Sequence, residues 1–182
     1  MAGLQFNVAG LLKELAGTSR EYEVEASPEA LEGLLEDAWP VAPLQGQVRM
    51  LRTQRSVFVR GQFATRVGME CSRCLTELET PIAFDLEAEY FPEIDFQTGQ
   101  HLPRPDDDLG FMIDENHELD LAEAVRQHVL LALPMRSICV EACKGLCPGC
   151  GVDLNVSPCQ CQEEPVDARL APLKALLEGK KL

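Results

Sequence analysis

The middle of the chain contains two stretches in which apolar and polar residues alternate. Along 57–71 the odd-numbered positions are mostly apolar, and along 78–90 the even-numbered positions are mostly apolar with acids between them. A period of two is typical of a β-strand with one buried and one wet face. The pattern therefore predicts two long strands in an antiparallel, meander-like sheet.

The same pattern predicts a register. A chain reversal near Cys74 would place Phe63 opposite Phe84, Val59 opposite Ala88 and Arg60 opposite Glu87. A tight turn at Gln54 and Arg55 would set Arg49 beside Arg60, a contact between like charges that folding alone does not reward.

Helical spacing of leucines predicts a first helix over 8–16 that ends at Gly17. Shorter strands are expected at 22–26 and 111–113. Ser27 and Pro28 are typical of a helix start, so a second helix is predicted from there to Trp39, whose indole is expected in the core.

A third helix is predicted to begin at Asp120 and to stop at Pro134. Its apolar stripe, which we expect to pack on the sheet, consists of Leu121, Val125, Val129 and Leu133. The stretch 92–108 is rich in proline and acid and predicts an exposed, mobile loop.

These elements predict an α+β fold, an antiparallel meander sheet with packed helices and a small C-terminal Cys-rich zinc-binding module. We divide the chain into an α+β domain over 1–138 that contains a Cys-x-x-Cys turn, a zinc-knuckle-like module over 139–165 and a C-terminal amphipathic helix over 166–182. The longest apolar run is too short to span a bilayer, so no membrane partner is expected.

Six of the eight cysteines lie within 139–161, and the other two are Cys71 and Cys74. The sequence Cys147-Pro-Gly-Cys150-Gly is typical of a zinc knuckle, in which a tight turn separates two thiolates. The N-terminus has no basic stretch followed by an apolar one, so a reducing cytoplasm is expected, where clustered cysteines favour metal over disulfides.

The expected ligands of Zn²⁺ are Cys143, Cys147, Cys150, Cys159 and Cys161, although two ligands separated by one residue are strained on a single ion. In an alternative, all eight cysteines form two four-thiolate sites, the second from Cys71, Cys74, Cys139 and Cys143. A further alternative makes Cys71 and Cys74 the redox pair of a thiol oxidoreductase, since Arg73 would favour a thiolate. Against it, the pair joins two strands rather than opening a helix, and no catalytic residues are assigned.

The net charge of −14 opposes broad binding to the phosphate backbone of nucleic acids. The stretch 44–74 is nevertheless basic, with one acid and six arginines: Arg49, Arg52, Arg55, Arg60, Arg66 and Arg73. We expect these arginines to form a patch that receives an anionic partner such as RNA phosphate.

Several segments together resemble the bacterial YceD family. They are Glu-Cys-Ser-Arg-Cys-Leu at 70–75, Leu-Ala-Leu-Pro at 131–134, the run Cys-Lys-Gly-Leu-Cys-Pro-Gly-Cys-Gly-Val-Asp-Leu-Asn at 143–155, and Asp-Ala-Arg-Leu-Ala-Pro-Leu at 167–173. Ala168 stands where the family pattern has proline. Some relatives lack the C-terminal cysteines, which implies that zinc stabilises this chain rather than performing the shared task.

The resemblance implies a role in accumulation of large-subunit ribosomal RNA, and hence in ribosome biogenesis. We therefore expect a non-enzymatic, cytoplasmic, bacterial factor that binds this RNA or a pre-ribosomal particle. An alternative from another class is an acidic chaperone or adaptor for a basic ribosomal protein.

Overall fold

The computed structural model describes residues 3–33, 35, 37–96, 98–103 and 110–161. The predicted helix over 166–182 and part of the acidic loop lie outside these residues. The described elements, in chain order, are β1 (Gln5–Asn7), α1 (Ala9–Leu12), β2 (Ser19–Ala26), a 3-10 turn (Pro28–Leu31), β3 (Trp39–Pro40), β4 (Leu44–Arg52), β5 (Val57–Glu70), β6 (Glu77–Pro92), β7 (Phe111–Ile113), β8 (Glu118–Asp120) and α2 (Ala122–Ala132).

The strands form one eight-stranded sheet in the order β1-β8-β7-β6-β5-β4-β2, with β3 pairing to β5. The pairs β2–β4, β4–β5 and β5–β6 are antiparallel, whereas β6 and β7 are parallel. The expectation of a wholly antiparallel sheet is therefore wrong at this pair. The connection over 93–110 is long enough for the chain to return in the same direction, which a short hairpin does not allow.

The predicted register of the two long strands is confirmed. Phe63 lies opposite Phe84, Arg60 lies opposite Glu87, and Arg49 lies opposite Arg60. The two phenyl rings stack with their centroids 5.4 Å apart. A slip of one residue would expose every apolar side chain of a strand, so the alternation specifies the register strongly.

The core comprises the inner face of this sheet, the buried side of helix α2 and the two buried leucines of α1. The helix buries Ala124, Val125 and Val129, and His128 stacks on Phe84 of β6. The carboxylate of Asp120 accepts a hydrogen bond from the amide of Ala122 at 2.8 Å, at the start of the helix. None of the helices in the described ranges is long and apolar enough to cross a membrane.

The helix predicted between Ser27 and Trp39 is wrong. Among the described residues of this stretch only Pro28–Leu31 form a helical turn, and Gly33 follows it at a φ of +74°, which is incompatible with continuing a right-handed helix. Trp39 is 39% exposed rather than in the core, because its indole lies over Gly68 of β5. The first helix is also shorter than predicted and ends before Leu15, which is exposed.

We expect Gly68→Ala to displace the single tryptophan of the chain. A Cβ atom at Gly68 would lie 2.1 Å from the indole Nε1 of Trp39, so the ring must move away from the strand. The measurement is tryptophan fluorescence, whose emission should shift to the red as the indole enters water. Gly3→Ala is the matched control, because a Cβ there meets nothing within 4 Å. An unchanged emission spectrum in Gly68→Ala would contradict the placement of Trp39.

Candidate functional site

Four cysteines gather at the end of the sheet where β5 turns into β6. This sheet cluster comprises Cys71 and Cys74 from the turn, and Cys139 and Cys143 from the segment after α2, and its sulfur atoms all lie within 4.8 Å of one another. The Sγ atoms of Cys71 and Cys143 are 3.9 Å apart, and those of Cys74 and Cys139 are 3.5 Å apart.

A second group, the C-terminal cluster, comprises Cys147, Cys150, Cys159 and Cys161, again with all sulfurs within 4.8 Å. The Sγ of Cys159 lies 3.3 Å from that of Cys147 and 3.5 Å from that of Cys150. The amide of Cys161 donates a hydrogen bond to the Sγ of Cys159 at 3.1 Å. The structure thus places Cys159 and Cys161 in one cluster, although ligands separated by one residue were expected to be strained on a single ion.

The turn that carries Cys71 has a specific backbone pattern. The amide of Leu75 donates to the carbonyl of Cys71 at 2.9 Å, and the amide of Cys71 donates to the carbonyl of Thr76 at 2.9 Å. Leu75 takes a φ of +59°, in the left-handed region. This conformation costs a residue with a Cβ roughly 1–2 kcal/mol.

The turn that carries Cys147 repeats the pattern. The amide of Gly151 donates to the carbonyl of Cys147 at 2.8 Å, and the amide of Cys147 donates to the carbonyl of Val152 at 2.8 Å. Gly151 has a φ of +74°, which glycine adopts without a steric penalty. The two turns therefore share the same knuckle conformation. The sequence predicted a Cys-x-x-Cys turn at 71–74 but not that this turn is a knuckle, because leucine stands where the second turn has glycine.

Cys143 lies in the sheet cluster, not with the C-terminal cysteines among which it was placed as an expected ligand. The reason is a set of contacts around Arg73, whose guanidinium donates to the carbonyl of Cys143 at 2.7 Å and whose carbonyl accepts from the amide of Leu146 at 3.0 Å. The amide of Ser72 also donates to the carbonyl of Ser137 at 2.8 Å. The eight cysteines are grouped as in the two-site alternative.

Backbone amides in the two knuckles favour thiolates. The amides of Cys139, Cys74 and Arg73 lower the pKa of Cys71 to about 6. The amide of Cys150, the side chain of Cys159 and the amide of Gly149 lower the pKa of Cys147 to about 6. Each knuckle therefore presents one sulfur that is mostly ionised near neutral pH.

Not all four sulfurs of a cluster ionise in the absence of a cation. The hydrogen bond with Cys74 raises the pKa of Cys139 to about 12, and the hydrogen bond with Cys159 raises the pKa of Cys161 to about 12. A tetrahedral ion with thiolate bonds of about 2.3 Å would set its sulfurs about 3.8 Å apart, close to the separations observed in both clusters. Both clusters could therefore hold a metal ion.

Two of the six candidate arginines form one row across the sheet with two acids. Glu21 of β2 lies opposite Arg49 of β4, Arg49 lies opposite Arg60 of β5, and Arg60 lies opposite Glu87 of β6. The Nε of Arg60 is 3.2 Å from a carboxylate oxygen of Glu87. The guanidinium of Arg49 donates to the hydroxyl of Ser19 at 2.9 Å. The two adjacent arginines are thus flanked by acids on both sides.

The other four arginines lie elsewhere. Arg66 pairs with Glu79 at 3.3 Å, and Arg52 donates to the carbonyl of Ser56 at 2.9 Å, in the turn that also carries Arg55. Arg73 lies beyond the opposite end of β5, a strand of 14 residues that spans about 45 Å at the usual rise per residue. The six side chains therefore do not form one compact patch.

We expect the purified chain to bind two metal ions, one per cluster. Cys71→Ser and Cys147→Ser should each remove one equivalent, because each deletes one sulfur of a different four-sulfur group. Metal content per chain, measured by mass spectrometry of the elements, checks this. Val156→Ser, at an exposed position within the same segment, is the control and should retain both equivalents. One equivalent in the unaltered chain would contradict the two-site arrangement.

Comparison with known proteins finds relatives in bacteria and in plants. The chain is 32% identical over 136 residues to a Mycobacterium tuberculosis protein whose name states no function, an alignment that covers 75% of this chain and 63% of that protein. It is 29% identical to the Arabidopsis thaliana protein named large ribosomal RNA subunit accumulation protein YCED homolog 1, chloroplastic, over 75% of this chain and 49% of that protein. The chain thus spans between about half and two thirds of the length of these relatives. No solved structure matches.

A family model described as large ribosomal RNA subunit accumulation protein YceD matches residues 59–177, well over half of the chain. The matched range contains both knuckles and all eight cysteines. The chain belongs to the YceD family.

Proposed function

We propose that this chain is a non-enzymatic factor of large-subunit biogenesis that supports accumulation of large-subunit ribosomal RNA. This role is supported by the description of its family and by the name of its Arabidopsis relative, both of which refer to accumulation of the large ribosomal RNA subunit. The proposed place of action is the cytoplasm, in contact with an assembling particle.

In this proposal both clusters hold zinc. Four thiolates complete the coordination of a tetrahedral ion and leave no open position for water, which is the arrangement of structural sites. Zinc in the sheet cluster would fasten Cys139 and Cys143 to the β5–β6 turn, and zinc in the C-terminal cluster would close the chain over 147–161.

The charge on the sheet favours a basic protein component of the particle as the partner. We define the outer face as the surface of β2, β4, β5 and β6 that bears Arg60. This face carries nine exposed acids and three arginines, namely Glu21, Glu23, Glu25, Glu70, Glu77, Glu79, Asp85, Glu87 and Glu89 against Arg49, Arg60 and Arg66. Such a field attracts lysine-rich and arginine-rich segments and repels bare phosphate.

A second candidate mechanism is direct contact with RNA. It is favoured by one observation, the placement of Arg49 directly opposite Arg60. Like charges in this position destabilise a sheet, and a bound phosphate would relieve the repulsion. Because Arg49 and Arg60 are also next to Glu21 and Glu87, we favour the protein partner.

The experiment that tests the function is deletion of the gene followed by rescue. We expect deletion to lower the ratio of large-subunit to small-subunit ribosomal RNA, and the unaltered gene to restore it. The double variant Cys71→Ser/Cys74→Ser should fail to restore the ratio, because it removes half of the sheet cluster. Val156→Ser, outside both clusters, should restore it. A normal ratio in the deletion strain would overturn the proposed function.

Two double variants, each of which removes two charges of one sign, distinguish the mechanisms. Glu21→Gln/Glu23→Gln should reduce sedimentation of the chain with large-subunit precursors, whereas Arg49→Gln/Arg60→Gln should leave it unchanged. Both should fold normally, since exposed ion pairs such as Arg60–Glu87 contribute about 0–1 kcal/mol. The measurement is the distribution of the chain on a density gradient. Loss of sedimentation in the arginine variant alone would favour the RNA mechanism instead.

A further inference from the structure

An apolar groove of about 860 Å³ lies beside the sheet cluster. The β5–β6 turn contributes Leu75 to its lining, the end of α2 and the residues after it contribute Leu130 and Met135, and β3 contributes Trp39. All four side chains are at least one third exposed, and Met135 is fully exposed. Several large apolar side chains around one groove are typical of a binding surface rather than of scattered exposure.

Leu75 is the least expected of these residues. It occupies the left-handed position of the first knuckle, and its side chain is 57% exposed. The second knuckle has Gly151 at the same position, where the turn forms without strain. The side chain of Leu75 thus strains the turn and gains little from burial within the chain. Leu75 is therefore an apolar side chain that is available for contact with another molecule.

The charges of the groove indicate the kind of partner. Its lining includes two ionisable residues other than cysteine, Asp37 and Glu70, and both are acidic. The chain as a whole carries a net charge of −14. An apolar segment with lysine or arginine beside its apolar side chains would match both the leucine-rich walls and the acidic rim.

We propose that this groove binds a basic polypeptide segment, which inserts one or two apolar side chains between Leu75, Leu130 and Met135 and sets its positive charges near Asp37 and Glu70. The proposal deepens the function proposed above, on which it rests for the identity of the partner as a component of the assembling particle. Because Leu75 belongs to the first knuckle, the sheet cluster fixes one wall of the groove.

A peptide probe tests the groove directly. The probe is a fluorescently labelled peptide of twelve residues with two leucines four positions apart and lysines at the other positions, titrated with the full, zinc-loaded chain. We expect fluorescence anisotropy to show binding that weakens as salt is added, and no binding of the matched peptide with glutamate in place of lysine.

Leu75→Gly is the decisive variant, because glycine favours the left-handed turn and removes only the side chain. We expect it to keep both metal equivalents and to weaken binding of the lysine peptide at least tenfold, as should Met135→Ser. The matched control is Leu131→Ser, since Leu131 is 83% exposed in α2, next to Leu130, but does not line the groove. Unchanged affinity in Leu75→Gly and Met135→Ser, or equal weakening in Leu131→Ser, would overturn the proposal.

A photocrosslinking residue at position 75 in cells identifies the occupant. A crosslink to a lysine-rich or arginine-rich polypeptide that is lost in Met135→Ser supports the proposal. A crosslink to residues 162–182 of the same chain, to a second copy of the chain or to RNA overturns it.

The proposal for the groove and the proposed function are overturned by different results. The peptide titration does not depend on ribosomal RNA, so unchanged affinity in the groove variants overturns the groove even if deletion lowers the RNA ratio. A normal RNA ratio in the deletion strain overturns the proposed function even if the peptide binds.

Discussion

The structure depends on one constraint, the gathering of four thiols within 4.8 Å of one another. This occurs twice, in the sheet cluster and in the C-terminal cluster. Backbone amides of the knuckles favour thiolates at Cys71 and Cys147, while neighbouring sulfurs raise the pKa values of Cys139 and Cys161. A cation bound among the four sulfurs of a group would let all of them ionise together. In the sheet cluster such an ion would join two segments separated by the whole of β6 and α2, which connects the local chemistry of a turn to the tertiary fold.

The two clusters differ in their surroundings, and this difference relates structure to the proposed role. In the sheet cluster Cys71 is fully buried and Cys74 nearly so, and the turn beside them carries the strained Leu75 into an acidic, apolar groove. In the C-terminal cluster Cys150 and Cys161 are exposed. The sheet cluster is thus largely buried beside the groove where we propose that a basic partner docks, whereas two of the four cysteines of the C-terminal cluster are exposed.

Sequence patterns predicted the long strands and their register because alternation over a dozen residues allows only one buried face. Gly151 indicated the second knuckle, whereas Leu75 gave no sign that the predicted Cys-x-x-Cys turn at 71–74 contains a left-handed residue. The grouping of Cys143 depends on its contact with Arg73 across the fold, which no local pattern contains. Trp39 was misplaced because Gly33 ends the expected helix, and apolar character alone did not indicate that the indole would lie on the outer surface of a strand.

Titration of the metal-free, fully reduced chain with cobalt(II) tests the central claim most directly, because visible absorption reports both the geometry and the sulfur ligands of each ion. We predict intense tetrahedral bands with thiolate charge-transfer absorption that grow until two equivalents per chain are bound and all eight thiols are protected from alkylation. Saturation at one equivalent, or weak bands typical of octahedral oxygen ligands, would contradict the account.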